Sequence, residues 1–189
     1  MNKQHQTSQF CLKNLEEDGV FIGYASVFDC VDFQNDQVLP GAFVKSLEHW
    51  RTKQSWPKML WQHDHHHPIG EWLDMQEDAT GLLVKGQLLL DVRKGREAYT
   101  LLKRNVVNGL SIGFSLEKAA TSPKGHQLLQ EVHLHEISLV TFAANPKAKV
   151  EWVKSIDIPI ESRLVSVVDT LAARICKMRA KESEIHLSN

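Results

Sequence analysis

Alternation of hydrophobic and small residues marks one stretch of the chain as a β-strand with two unlike faces. In residues 108–114 every second residue is bulky and the residues between are small: Leu110, Ile112 and Phe114 alternate with Gly109, Ser111 and Gly113. Because successive strand side chains point to opposite faces, the bulky residues are expected to face a core. The other face then carries only the Ser111 hydroxyl, because Gly109 and Gly113 have no side chains. This serine either bonds locally in a barrel strand or is approached by another molecule.

The same kind of patterning predicts a mainly β protein with helices. Strands are predicted over 10–15, 20–28, 58–63, 69–72, 82–90, 109–114, 127–140 and 150–158, which are rich in β-branched, aromatic and leucine residues. Polar connections are predicted at 64–68 and 74–81. Helical spacing predicts helices from 38–43 to about Arg51, over 94–105 and over 159–181. Because most strands follow one another without a helix between them, we expect an α+β fold, an antiparallel β-barrel or curled sheet surrounded by a few α-helices.

Composition narrows the class of protein. A chain of 189 residues with a formal net charge of −1 is long enough for one domain and a tail, and it offers no bulk positive charge for nucleic acid. No apolar run is long enough to cross a bilayer, and the polar start predicts a cytosolic protein. Cys11, Cys30 and Cys176 are scattered, which favours neither a disulfide framework nor a zinc site. No cofactor is expected.

Ten histidines are many for this length, and four of them lie close together at His63, His65, His66 and His67. Adjacent His66 and His67 would point to opposite sides of an extended chain and would not readily share one ion. We therefore expect no metal here and interpret the last three histidines as solvated loop residues. His63 differs because it ends an apolar strand, where a rigid scaffold would hold its ring.

A nucleophilic serine needs a base, and the base needs a group that orients it. Strand parity over 132–140 places Glu136 on the same face as Ser138. Its other neighbours there are apolar, so an ionised Glu136 would need a partner. A cationic His63 would be one such partner. A structural carboxylate bonded to backbone or to an arginine explains the pattern equally well.

Eight segments, taken in order, carry a family likeness. They are Gly23–Phe28, Val38–Phe43, Leu60–Asp64, Pro68–Gly70, Asp78–Leu82, Gly109–Phe114, Glu136–Val140 and Ala144–Pro146. Together they resemble the prohead (procapsid) maturation proteases of tailed bacteriophages, a family of serine peptidases related to herpesvirus assemblin. The likeness covers about residues 19–150. The chain has Ala143 where the family often has proline, at a strand end where little consequence is expected.

The resemblance implies roles for three residues. Ser111 would attack the scissile carbonyl, His63 would take and return its proton, and Glu136 would hold the imidazolium. Herpesvirus relatives use a second histidine as third member, so His135 is the alternative to Glu136. Gly109 and Gly113 are expected to leave room for a substrate backbone beside Ser111. The oxyanion donors are left open among backbone N–H groups near Gly113, Arg93 and Arg96.

The resemblance also implies a function and partners. We expect a serine endopeptidase that cleaves scaffold protein, or the scaffold-like segment of the major capsid protein, and often itself, inside the assembling procapsid in the host cytoplasm. Residues 1–155 would form the protease domain, and the helical tail 156–189 would dock on scaffold or capsid, pair with another copy, or cover the barrel. No nucleic-acid or membrane partner is expected. The alternatives are a non-catalytic capsid assembly or scaffold-binding barrel and, more weakly, a metallohydrolase that uses the histidines.

Overall fold

The computed structural model describes residues 19–153, which form eight strands and two helices. The strands are β1 (Val20–Val27), β2 (Asp36–Val38), β3 (Lys58–Trp61), β4 (Asp64–Glu77), β5 (Gly81–Leu88), β6 (Gly109–Thr121), β7 (Gln127–Val140) and β8 (Val150–Val153). The helices are α1 (Val44–Thr52) and α2 (Arg93–Lys103). The strand predicted at 10–15 and the tail helix predicted at 159–181 lie outside the described residues. The division of the chain at residue 155 stays a prediction.

The strands form one curled sheet with the order β2-β7-β3-β4-β5-β1-β8, and β6 pairs with β7. The pairings are antiparallel except those of β7 with β2 and with β3, which are parallel. Two backbone hydrogen bonds tie the start of β6 to the segment before β8: Leu110 N–H to Ala148 O at 3.1 Å and Val150 N–H to Asn108 O at 2.8 Å. They bring the two sides of the sheet together. The expected mainly β architecture of the α+β class is confirmed.

One hydrophobic core fills the inside of the curled sheet. Phe21 and Trp72 meet edge to face with ring centroids 5.7 Å apart, a favourable arrangement for aromatic pairs. Gly86, in the middle of β5, lies directly beneath them: a Cβ there would come within 2.8 Å of both rings and 2.6 Å of the Met59 methyl carbon. The absence of a side chain at Gly86 therefore lets three large side chains pack against the strand.

The first helix, predicted to begin within residues 38–43, begins later because the backbone of Gly41 is in the left-handed conformation, with φ +92°. Residues before it form the short strand β2, and α1 starts at Val44. The carboxylate of Glu77, at the end of β4, accepts hydrogen bonds from the backbone N–H groups of Gly41 and Phe43. This carboxylate satisfies two backbone donors in the turn that leads into the helix.

The polar turn predicted at 64–68 is wrong. These residues are the first part of β4, and the chain reverses instead at Gln62 and His63. The stretch 64–68 lacks the alternation of a strand because its side chains are largely exposed on both faces. Its extended form comes from pairing with β3, where Leu60 lies opposite Pro68. His63 consequently lies in the turn between two paired strands.

Candidate active site

The centre of the candidate site is strand β7, which pairs with β6 along one edge and with β3 along the other. In the β6–β7 register Ser111 lies opposite Ser138, and Gly113 lies opposite Glu136. Side chains of directly opposed residues lie on the same face of a sheet. The small-residue face of β6 is therefore the face on which Glu136 and Ser138 stand.

The turn that carries His63 has an unusual backbone. Gln62 and His63 both have positive φ, +55° and +61°, a left-handed conformation that is uncommon for residues other than glycine. The turn is held by β7: Gln62 N–H donates to Leu139 O at 3.0 Å, and His63 N–H donates to Ser138 Oγ at 3.0 Å. The Gln62 side chain adds two bonds to Thr141, at 2.8 and 3.2 Å. The position of His63 is thus fixed by backbone and side-chain bonds to β7 and to Thr141, the residue that follows it.

The structure brings His63 and Glu136 into direct contact. His63 Nδ1 lies 2.5 Å from Glu136 Oε1, and the glutamate side chain is only 14% exposed. The hydrogen bond to Glu136 raises the pKa of His63 above its ordinary value, burial opposes the shift, and the glutamate charge adds to it. With Nδ1–H donated to the carboxylate, Nε2 is the ring atom left to accept a proton.

His63 and Ser111 line the same cleft, whose volume is about 170 Å³. Ser111 is 8% exposed and reaches it from β6. Among the hydrogen bonds of residues 19–153 there is none between the Ser111 hydroxyl and the His63 ring. Catalytic hydrogen bonds commonly tighten only when substrate binds, so proton transfer requires these two groups to approach each other.

Two further residues at the site were not singled out from the sequence. Ser138 Oγ donates to Glu136 Oε2 at 2.6 Å, in addition to accepting the His63 N–H. Asn145 lines the cleft and donates from Nδ2 to Val27 O at 2.8 Å, which ties the loop after β7 to the end of β1. The signal for Ser138 was its position two residues after Glu136, on the same strand face.

The alternatives considered for the site lie elsewhere in the structure. His135 Nε2 lies 2.6 Å from Ser115 Oγ, and the His135 ring packs against His133, away from the His63–Glu136 pair. Arg96 donates to the carbonyl oxygens of Leu90 and Asp91. Neither arginine considered as an oxyanion donor, Arg93 or Arg96, lines the cleft.

The expected room for substrate beside Gly109 and Gly113 is not there. A Cβ at Gly113 would lie 2.9 Å from both Cγ and Cδ of Glu136, so the space is filled by that side chain. A Cβ at Gly109 would lie 2.8 Å from Val140 O and 3.3 Å from Ala143 Cβ. The absence of a side chain at Gly113 makes room for the Glu136 carboxylate that contacts His63, and not for substrate.

The neighbouring histidines are organised around Asp64. Its carboxylate lies 3.1 Å from His66 Nδ1 and 2.7 Å from His67 Nδ1, and it accepts the His66 N–H at 2.9 Å. The His66 N–H and the His67 ring lower the pKa of Asp64 to about 2. Within residues 19–153 no three histidine, cysteine or acidic side chains are grouped as metal ligands. No helix in that range is long and apolar enough to span a membrane.

Comparison with known proteins places the chain in a family. The sequence profile of the caudovirus prohead serine proteases matches residues 8–159, which is most of the chain. The chain belongs to the caudovirus prohead serine protease family. The prohead protease of Enterobacteria phage HK97 is 35% identical over 144 residues, 75% of this chain and 63% of that protein. This chain therefore spans less than two thirds of the length of that relative.

Two other phage proteins are similar to this chain. The prohead protease of Escherichia phage T5 is 24% identical over 121 residues, 64% of this chain and 57% of that protein. A capsid polyprotein of Pseudomonas phage PAJU2 is 36% identical over 105 residues, which are 52% of this chain and 16% of that protein. The family likeness inferred from the eight segments is thus confirmed.

Solved structures show the fold. The bacteriophage T4 capsid assembly protease gp21 superposes with a TM-score of 0.54 at 10% identity, covering 64% of this chain and 80% of that one. A KSHV protease in complex with a hexapeptide phosphonate inhibitor gives a TM-score of 0.50 at 11% identity, covering 82% and 77%. The expected assemblin-type fold is confirmed by the likeness to this herpesvirus protease.

Proposed function

We propose that the chain is a serine endopeptidase of procapsid maturation, with Ser111 as nucleophile, His63 as general base and Glu136 as the orienting carboxylate. The observation that carries the proposal is the placement of His63. Its Nδ1 is bonded to the largely buried Glu136, while His63 itself lines the cleft that holds Ser111. A serine, a histidine and a carboxylate in one site are the groups that serine-nucleophile hydrolysis requires.

In this mechanism Ser111 Oγ attacks the carbonyl carbon of the scissile peptide while its proton passes to His63 Nε2. The imidazolium that forms is stabilised by the ionised Glu136 at Nδ1. His63 then gives the proton to the leaving amine, and the acyl group stays on Ser111. A water molecule, deprotonated by His63, releases the second product and restores the serine. Backbone N–H groups at the cleft would stabilise the oxyanion.

The proposed substrates are capsid proteins, namely scaffold protein or the scaffold-like segment of the major capsid protein, with self-cleavage as a further event. Two similar proteins support this choice by name: one is called a capsid polyprotein and another a capsid assembly protease. The proposed place of action is the interior of the assembling procapsid in the host cytoplasm.

Covalent labelling tests the catalytic part of the proposal. A fluorophosphonate probe is expected to label the protein once, at Ser111, and the label should vanish in Ser111→Ala and fall sharply in His63→Ala. Ser115→Ala and His65→Ala are matched controls that should label like wild type. Labelling is measured both on free protein and on particles formed with co-expressed capsid protein. No labelling in either sample would favour the non-catalytic assembly protein instead.

Co-expression with the major capsid protein of the same phage tests the substrate. Wild type is expected to yield a shortened capsid protein by mass spectrometry, and Ser111→Ala should yield the intact one. A shortened form of the enzyme itself that persists in Ser111→Ala would rule out self-cleavage.

A further inference from the structure

Ser138 is a polar side chain in a position where an apolar one would be ordinary. It is 0% exposed, near the end of β7, between Ile137 and Leu139, which are both buried. Burial of a hydroxyl is unfavourable unless it is hydrogen-bonded, so its bonds have to account for its presence. Both of its bonds go to groups of the candidate site.

The direction of these bonds is fixed by chemistry. The His63 backbone N–H has a proton to give, so Ser138 Oγ accepts it, at 3.0 Å. The single hydroxyl proton of Ser138 then goes to Glu136 Oε2, at 2.6 Å. With Oε2 engaged by Ser138, Oε1 is the oxygen that meets His63 Nδ1. One hydroxyl therefore contacts the backbone of the base and the carboxylate of its partner.

The hydrogen bond from the His63 N–H to Ser138 stabilises a turn whose backbone conformation is unfavourable by itself. Gln62 and His63 are consecutive non-glycine residues with positive φ, a conformation that persists only where surrounding contacts hold it. Leu139 O holds the Gln62 N–H, and Ser138 Oγ holds the next N–H along the chain. Loss of the Ser138 hydroxyl would free the His63 backbone and one Glu136 oxygen together.

We propose that Ser138 is a positioning residue that keeps the His63 ring and the Glu136 carboxylate in register for catalysis by Ser111. The proposal rests on the function proposed above. Ser138 itself does not touch the cleft and exchanges no proton with substrate: Ser138 is not among the cleft-lining residues. Its effect is exerted through the His63–Glu136 contact.

A matched pair of variants separates the hydroxyl from its volume. Ser138→Thr keeps the hydroxyl and adds a methyl group, and Ser138→Val has the same shape without the hydroxyl. Any cost of the added methyl in this buried position is common to both. Ser138→Ala removes the hydroxyl without added bulk and serves if Ser138→Val does not fold. Circular dichroism and thermal unfolding establish which variants are folded.

The first readout is the titration of the His63 imidazole, followed by NMR of histidine-labelled protein and assigned with His63→Gln. The pKa of His63 is raised mainly by its hydrogen bond to Glu136. We expect the raised value in wild type and in Ser138→Thr, and a lower value in Ser138→Val and Ser138→Ala. Equal His63 titration in all four folded proteins would overturn the proposal, because it would show that the contact does not depend on the hydroxyl.

The second readout is the rate of fluorophosphonate labelling of Ser111. Ser138→Thr is expected to stay within about threefold of wild type, and Ser138→Val and Ser138→Ala to fall by about tenfold or more, the scale of a lost hydrogen bond to a charged group. Equal rates in the threonine and valine variants would contradict the proposal. If wild type itself is not labelled, the proposed function fails, while the NMR titration still decides whether Ser138 positions His63.

Discussion

Gly113 and Glu136 face each other across β6 and β7, and the Glu136 side chain occupies the space that a side chain at Gly113 would fill. A Cβ at position 113 would lie 2.9 Å from both Cγ and Cδ of the glutamate. The Glu136 carboxylate thus lies over the backbone of Gly113, where no side chain keeps it from contacting His63. A glycine two residues after the proposed nucleophile is in this way linked to the base.

Gly113→Ala is expected to displace Glu136 while leaving the strand intact. The backbone of Gly113 does not have a positive φ, so alanine introduces no backbone strain there. The glutamate is a flexible side chain and would rotate away from the new methyl, which would break its bond to His63. We expect labelling of Ser111 to fall by about tenfold or more, with a modest change in stability.

Ser115→Ala is the control and should label normally, because the bulge after Gly113 turns Ser115 to the opposite face, where it contacts His135. Measured by the rate of fluorophosphonate labelling and by thermal unfolding, an active Gly113→Ala variant would show that the Glu136–His63 contact is dispensable. An inactive variant that is also unfolded would be uninformative about the contact, and Glu136→Gln then tests it directly.

The sequence predicts the bounds of β7 well but not which strands pair with it. Residues 127–140 were predicted to form one long strand, and the strand has the predicted bounds. Strand β3 lies parallel to β7, with Leu60 opposite Ser138. These two residues are 78 positions apart in the sequence, and no local pattern encodes such a pairing. The exposed first part of β4 was predicted as a turn for the same reason: its extended form depends on its partner.

Two features of the candidate site could not be predicted from the sequence pattern. Left-handed residues are usually signalled by glycine or asparagine, and neither Gln62 nor His63 gives that signal. Strand parity placed Ser138 beside Glu136, yet the hydrogen bond from His63 to Ser138 appears only once β3 is placed beside β7. The roles of Ser111, His63 and Glu136 came from family likeness, because spacing alone left a structural serine and a structural carboxylate as alternatives.

The pH dependence of labelling is expected to follow His63. The hydrogen bond to Glu136 raises the pKa of His63, and only the neutral ring accepts the Ser111 proton. A raised pKa keeps the ring protonated to higher pH, so the labelling rate should increase with pH through a midpoint above about 6.5, the ordinary histidine value. In Glu136→Gln the midpoint should move down and the maximal rate should fall by about tenfold or more. His65→Gln is the control, and an unmoved midpoint in Glu136→Gln would exclude Glu136 as the partner of the base.

Gly86→Ala is expected to destabilise the core without altering the site. A methyl group there would press on the rigid rings of Phe21 and Trp72 as well as on the Met59 methyl. Overpacking of this kind costs about 1–3 kcal/mol. The free energy of unfolding in urea measures it, and Lys85→Ala, at the neighbouring half-exposed position of β5, should be close to neutral. A Gly86→Ala protein as stable as wild type would show that the two rings can shift.

Asn145→Asp tests the loop that borders the cleft, because it changes one donor and almost no volume. Asn145 is 9% exposed, and its Nδ2 donates to Val27 O at 2.8 Å while its Oδ1 accepts the Lys147 N–H at 3.0 Å. An ionised aspartate keeps the acceptor and places a negative charge against the Val27 carbonyl. We expect a loss of about 1–3 kcal/mol in the free energy of unfolding at pH 7. Below about pH 4 a protonated aspartate can donate again, so the difference from wild type should shrink there. A difference that stays constant with pH would mean that the Val27 bond is not what holds this loop.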